Sequence, residues 1–309
     1  STSIRFRLPI CPSNHLVIRV YPAGQVDAES WFAKDDGAGR MNIFNNLYVY
    51  FRFLEISVRS QLQYRLSFVM LTAAHFLVTV IEFVTVLVLF DRFGSLKGWD
   101  LPEVAFMYGL VNIAFSISDA ATRGFDAFGT MVKAGDFDRL LIRPRSTVLQ
   151  LAGQELTLRR VGRFLQGFAI LIWAANAMEI DWTALKVGLV IFAVFGGAAL
   201  FAGLIVIQAT IAFWSTESLE VMNSLTYGGV AVTSYPVTIY RSWFQNFFIY
   251  VVPLSTISYF PTLAILGKPD ALGTGLAFQY LSPLIGFGFL ALTLQTWRFG
   301  VKHYRSTGS

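Results

Sequence analysis

LSFVMLTAAHFLVTVIEFVTVLVLF, residues 66–90, is a run of 25 residues in which Glu82 is the only formally charged side chain. At 1.5 Å per residue, a helix of that length covers the ~30 Å hydrocarbon core of a bilayer with turns to spare. The composition agrees with a membrane reading. Of 309 residues, 55% are hydrophobic and only 14% charged, against roughly 25% charged in an ordinary soluble domain.

Working outward from this run, the loop DRFGSLKGWDLPE (91–103) leads into a second span at about 104–122. Further apolar stretches predict spans at about 161–180, 187–214, 219–240 and 272–297. Between the last two lies 242–268, equally apolar but interrupted by Pro253 and Pro261. Proline removes a backbone donor and disturbs a helix interior, and freed backbone groups at membrane depth must be sheltered by protein. That predicts a re-entrant hairpin dipping from the outer face, with Phe247 and Phe248 supplying bulk either for a gate or for a stiff outer lid. The expected fold class is an all-α integral membrane protein with six transmembrane helices.

The basic residues orient these spans. Of 24 Lys and Arg, only Arg92, Lys97, Lys186, Arg241 and Lys268 fall on the outer side of a six-span chain. The remaining 19 gather in the stretch up to and including Arg65, in 123–163 and after Trp297, which puts both termini on the cytoplasmic side. The net charge of +5 is therefore a topology signal, and nucleic acid drops out as a partner. Trp99, Trp173, Trp182, Trp214 and Trp297 fall near span ends, as residues of an interfacial belt do.

Upstream, Leu47, Phe51, Leu54, Val58 and Leu62 recur at helical spacing opposite Arg52, Glu55, Arg59 and Gln63. The pattern predicts an amphipathic helix over 45–65 lying at the membrane surface. Residues 1–40 show no such pattern and are expected to be a poorly structured or non-native extension preceding a permease domain at 41–309.

Reactive chemistry is sparse. Cys11 is the single cysteine, and His15, His75 and His303 are scattered, so no thiolate or histidine metal site is expected. Gly267-Lys268 lacks the upstream glycine and following hydroxyl of a nucleotide-binding loop. Neither a Gly-x-Ser-x-Gly elbow nor a His-Glu-x-x-His helix occurs, and no catalytic residue is assigned. Asp136 and Asp138 are two apart, the spacing of a metal-holding pair in an intramembrane transferase, but Arg139, Arg143 and Arg145 stand beside them. Glu82, charged within a span, is functional by default: it lines a cavity, serves an ion-coupled transporter, or is satisfied by Thr79, Thr85 or a neighbouring subunit. Asp119 and Arg123, four apart, read as a local ion pair. Gly196, Gly197 and Gly203 make the fourth span smooth for close packing.

The charged stretch FGTMVKAGDFDRLLIRPRSTVLQ (128–150) cannot remain in a bilayer. Met131, Val132, Phe137, Leu140, Leu141 and Ile142 form apolar knobs among Lys133, Asp136, Asp138, Arg139 and Arg143. Gly135 permits a turn and Pro144 ends the second piece. Helices this short need a surface to fold against, and two carboxylates disfavour an anionic leaflet, so a partner protein is expected. GDFDRLLIRP (135–144) resembles the cytoplasmic signature of permease subunits of ABC-2-type transporters, in the branch that includes proposed viologen exporters. The proline-broken VVPLSTISYFPTLAILG (251–267) and the closing RFGVKHYRSTGS (298–309) are similar to later landmarks of that branch.

The resemblance implies that 45–65 is an interface helix and that 128–150 holds the coupling helix, seated in a cleft of a separate ATP-binding cassette subunit. It also implies two such ATPase subunits, which bind ATP and Mg, and a second permease chain, identical or paralogous, across the pore. No cofactor is expected in this chain itself. The cargo would be an amphiphilic or hydrophobic small molecule, a lipid or a drug-like cation.

Overall fold

The computed structural model describes residues 65–142, 146–153, 161–215 and 219–304, all within one unit, Asn46–Ser309. The expected amphipathic helix at 45–65 and the extension at 1–40 lie outside the described residues. So do Arg143 and Pro144.

The architecture is all-helical, with no strand among the described residues. Helix α1 covers Arg65–Phe93 and α2 covers Leu101–Thr122. The start of α2 is fixed locally: the Glu103 carboxylate accepts the Asp100 N–H at 2.9 Å, and proline stands in the first turn, where its missing N–H has no helical partner to lose. Three short helices follow: α3 (Phe128–Ala134), α4 (Phe137–Leu141) and α5 (Thr147–Ala152). Then come α6 (Val161–Ala177), α7 (Ala184–Ile211) and α8 (Leu219–Thr233). The chain ends in α9 (Ser242–Asn246), α10 (Tyr259–Leu266), α11 (Leu276–Leu281) and α12 (Leu284–His303).

By length and composition α1, α2, α7 and α12 can each cross a membrane. Helices α6 and α8 are shorter, at 17 and 15 residues, and each starts where the described residues resume after a gap. The last predicted span, 272–297, is divided: α11 and α12 are separated at Ser282-Pro283, and α12 runs on to His303. The predicted hairpin is a bent pair, turned by 74°. After α9 the helix widens into a π turn, Phe247–Val251, and the bend falls at Val252-Pro253. Pro261 is not a second break. It is the third residue of α10, within the first turn, where no intrahelical bond to its nitrogen is needed.

Helix α2 is the axis of the fold. It packs chiefly on α6 and α7, and α7 packs on α12. These contacts rest on glycine. A Cβ at Gly109 of α2 would lie 2.8 Å from the Gly167 carbonyl oxygen of α6. A Cβ at Gly286 of α12 would run into the Gly196 backbone of α7, and one at Gly203 would meet the Phe289 ring. Close backbone approach of this kind is how helices adhere where no hydrophobic force separates protein from lipid. Helix α1 is the opposite case. Only 17% of its apolar window is covered by the rest of the chain, leaving Val69, Phe76, Leu77 and Ile81 outward.

Candidate functional site

The segment between α2 and α6 closes on itself. Gly135 ends α3 in the left-handed region at φ 74°, its N–H reaching back to Met131 and Val132, and α4 starts two residues later. The turn depends on glycine, since a side chain there is strained. The apolar knobs divide between two destinations. Val132, Phe137 and Leu140 turn into the chain's own core, while Leu141 and Ile142 stay exposed and Met131 is partly covered. Phe128 and Phe137 stack edge-on at 5.0 Å and meet Phe213, at the end of α7, together with Trp297 of α12. Trp297 donates its indole N–H to Thr147 of α5 at 3.0 Å, and Tyr304 closes on Phe137 at 5.0 Å. Trp297 is thus a core residue at 1% exposure and not part of an interfacial belt. Trp99 is buried likewise, whereas Trp173, Trp182 and Trp214 remain outward. Asp136 pairs with Arg139 at 3.3 Å on the surface. Asp119 and Arg123 form the expected local pair at 3.7 Å.

At the other end of α2, the hairpin is tethered. Lys268 contacts the Glu103 carboxylate at 2.6 Å, donates to the Gly98 carbonyl at 2.9 Å, and lies 4.8 Å over the Trp99 ring. Asp270 holds the following loop by accepting from the Tyr259 hydroxyl at 2.8 Å and from the Leu272 and Thr274 N–H groups. Burial would raise its pKa, but these hydrogen bonds and that from the Thr274 hydroxyl prevail and hold it below the ordinary carboxylate value. Within the hairpin Phe248 is buried against Phe244, with ring centroids 4.7 Å apart, and Phe247 is half-buried beside it. Trp243 and Tyr250 face outward.

Between these ends lies a cavity of about 260 Å³ framed by α1, α2, α6 and α8. Glu82 lines it, and its partner is none of those expected from nearby sequence. Thr79 and Thr85 donate to carbonyls of their own helix. The partner is Arg163 of α6, whose guanidinium contacts the Glu82 carboxylate at 2.8 Å and lies 5.4 Å over the Phe115 ring. Arg163 therefore leaves the tally of loop charges: it is a buried residue of a helix, and 18 basic residues remain on the side assigned as inner. Its pairing is invisible to local spacing because 81 residues separate the two charges. Around the pair stand Tyr108, Asn112, Tyr227 and Tyr235. Tyr108 donates to the Thr79 carbonyl at 3.2 Å, and Gln166 to the same carbonyl at 2.7 Å, which locks α1 to α2 and α6.

A family model described as ABC-2 family transporter protein matches residues 76–308. No curated protein and no solved structure matches the chain.

Proposed function

The chain belongs to the ABC-2 family of transporter proteins and is a multi-pass transmembrane subunit of an ABC transporter, and we propose that it is the permease half of an exporter energised by separate ATPase subunits. Family membership implies association with ABC ATPase subunits and usually a dimeric arrangement. In this reading two cassette subunits bind and hydrolyse ATP with Mg, and a second permease chain, identical or paralogous, completes the path. The pair sits in a bacterial inner membrane with both termini cytoplasmic and moves an amphiphilic cargo outward.

The observation that supports this best is the union of α3 and α4 with the ends of α7 and α12 through Phe128, Phe137, Phe213 and Trp297. A partner pressing on the exposed Leu141 and Ile142 would move a packed aromatic block, because close-packed interiors transmit displacement instead of absorbing it. The motion would reach two spanning helices, and through the Gly196–Gly286 contact they would move together. The hairpin, latched to α2 by Lys268, is the outer gate of the same machine. The ion-coupled alternative weakens because Glu82 already carries a counter-charge in Arg163. The transferase alternative weakens because Asp136 is turned to Arg139 at the surface.

The test is co-expression with a cassette ATPase drawn from the neighbouring reading frames. A stable complex is expected, with ATP turnover that cargo stimulates in membranes and that this chain alone lacks. Transport driven by an ion gradient with no nucleotide present would overturn the reading.

A further inference from the structure

Helix α12 leaves most of its surface outward: only 22% of its apolar window is covered by the rest of the chain. Leu284, Ile285, Leu292 and Phe299 are exposed within an arc of about 100° around its axis. From Leu284 to Trp297, about 20 Å of rise, the helix carries no charge. Its next turn is cationic, with Arg298 and Lys302 four apart and both exposed. Beside them three rings gather at the surface. Trp214, 59% exposed, stacks on Phe299, 56% exposed, at 6.3 Å and an interplanar angle of 27°, and the His303 ring lies 4.1 Å from Phe299. The chain does not neutralise these cations. Helices α7 and α12 hold no carboxylate, and neither Arg298 nor Lys302 joins an ion pair among the described residues.

We infer that the end of α12, together with Trp214, is a docking surface for an anionic phospholipid of the cytoplasmic leaflet, its phosphate drawn to Arg298 and Lys302 and its acyl chain laid along the stripe from Phe299 to Leu284. Large rings with an apolar body suit the level between head group and hydrocarbon, and a planar guanidinium beside an ammonium is chemistry that phosphate oxygens fit. Basic residues at this level are attracted to a negatively charged leaflet. Two other occupants fit less well. A soluble partner can reach the cationic turn, but not the exposed stripe at membrane depth on the same face. A second copy packed here about a twofold axis would bring Arg298 and Lys302 toward their own symmetry mates, with no carboxylate on either helix to offset the repulsion.

The inference takes from the transport reading only the side of the membrane on which α12 ends, and lipid binding needs neither ATPase nor cargo. The test follows the fluorescence of Trp214 in the purified full-length chain, held in the uncharged detergent dodecyl maltoside. Its signal is the difference between the wild-type chain and Trp214→Phe. The probes are phosphatidylglycerol and phosphatidylcholine, each brominated near the head-group end of an acyl chain so that contact quenches the indole. Phosphatidylglycerol is expected to quench Trp214 at about one tenth the amount of phosphatidylcholine, and added salt should narrow the gap. Arg298→Gln with Lys302→Gln should bring the two lipids to within about twofold at unchanged melting temperature, because both side chains are exposed. Soluble glycerol phosphate should not relieve the quenching; relief would assign the cations to a free phosphate and overturn the lipid reading. Equal quenching by the two lipids, quenching by neither, or a preference that survives the double substitution would overturn it as well. Failure of the chain to couple to an ATPase would leave all these measurements unchanged.

Discussion

Leu140 and Leu141 are neighbours in sequence with opposite surroundings, 4% and 40% exposed. Substitution with aspartate should separate them. Leu140→Asp inserts a charge beside Phe128 and Phe137 and should destabilise the chain by about 4 kcal/mol, read as a fall in melting temperature with the ATPase lost as a consequence. Leu141→Asp should change stability by no more than about 0.5 kcal/mol yet weaken capture of the ATPase at unchanged melting temperature. Equal loss of stability in both variants would refute the division between core and docking roles. The pair also shows what a sequence discloses at this scale. The alternation of knobs and charges over 131–143 marks an amphipathic piece, but nothing local says that the covering surface for Val132, Phe137 and Leu140 is Phe213 and Trp297 of the same chain. Glu82 was legible as a charge out of place. Its partner was not, because ion pairing between helices follows from packing and not from spacing.

At the scale of elements, the apolar runs of α1, α2, α7 and α12 were plain, since their length answers to a physical thickness. The broken hairpin was legible from its prolines, but only one of them bends the chain: Pro253 sits at the bend, and Pro261 sits where a helix tolerates proline. Trp297 was misread because a tryptophan near a span end satisfies either an interfacial belt or a core, and the choice depends on which face it occupies. The glycines of α7 were read as packing residues, and their counterpart in α12 gives that reading a test. Gly286→Ala drives a methyl group into the Gly196 backbone. Relief requires moving a helix, so the expected loss is about 3 kcal/mol, measured as a lower yield of monodisperse protein and a lower melting temperature. The same substitution at Gly288, where a Cβ meets nothing within 4 Å among the described residues, should be silent.

For the whole molecule the open question is orientation, which the distribution of basic residues predicts. With Cys11 first replaced, Ser95→Cys should react with an impermeant thiol reagent added outside intact cells, whereas Ser146→Cys should react only after the membrane is opened. Thr307→Cys should behave like Ser146→Cys. External labelling of the Thr307→Cys chain would mean that 242–268 crosses completely and that the C-terminus lies outside. Helix α1 adds a second expectation at this scale. With so little of its apolar surface covered, its outer face must meet lipid or a second chain.

The long-range bridge between Glu82 and Arg163 also has a consequence in time. The chain is made from its N-terminal end, and 81 residues separate the carboxylate from its guanidinium. At ordinary rates of translation that is an interval of about 4–16 s, during which α1 exists and its counter-ion does not. A lone carboxylate within the hydrocarbon core of a bilayer is unfavourable by several kcal/mol, so α1 must wait at the rim of the insertion machinery or in the grip of a chaperone. The ribosome's schedule thus makes α6, and not the helices that precede it, the element whose arrival commits the membrane domain to its final arrangement.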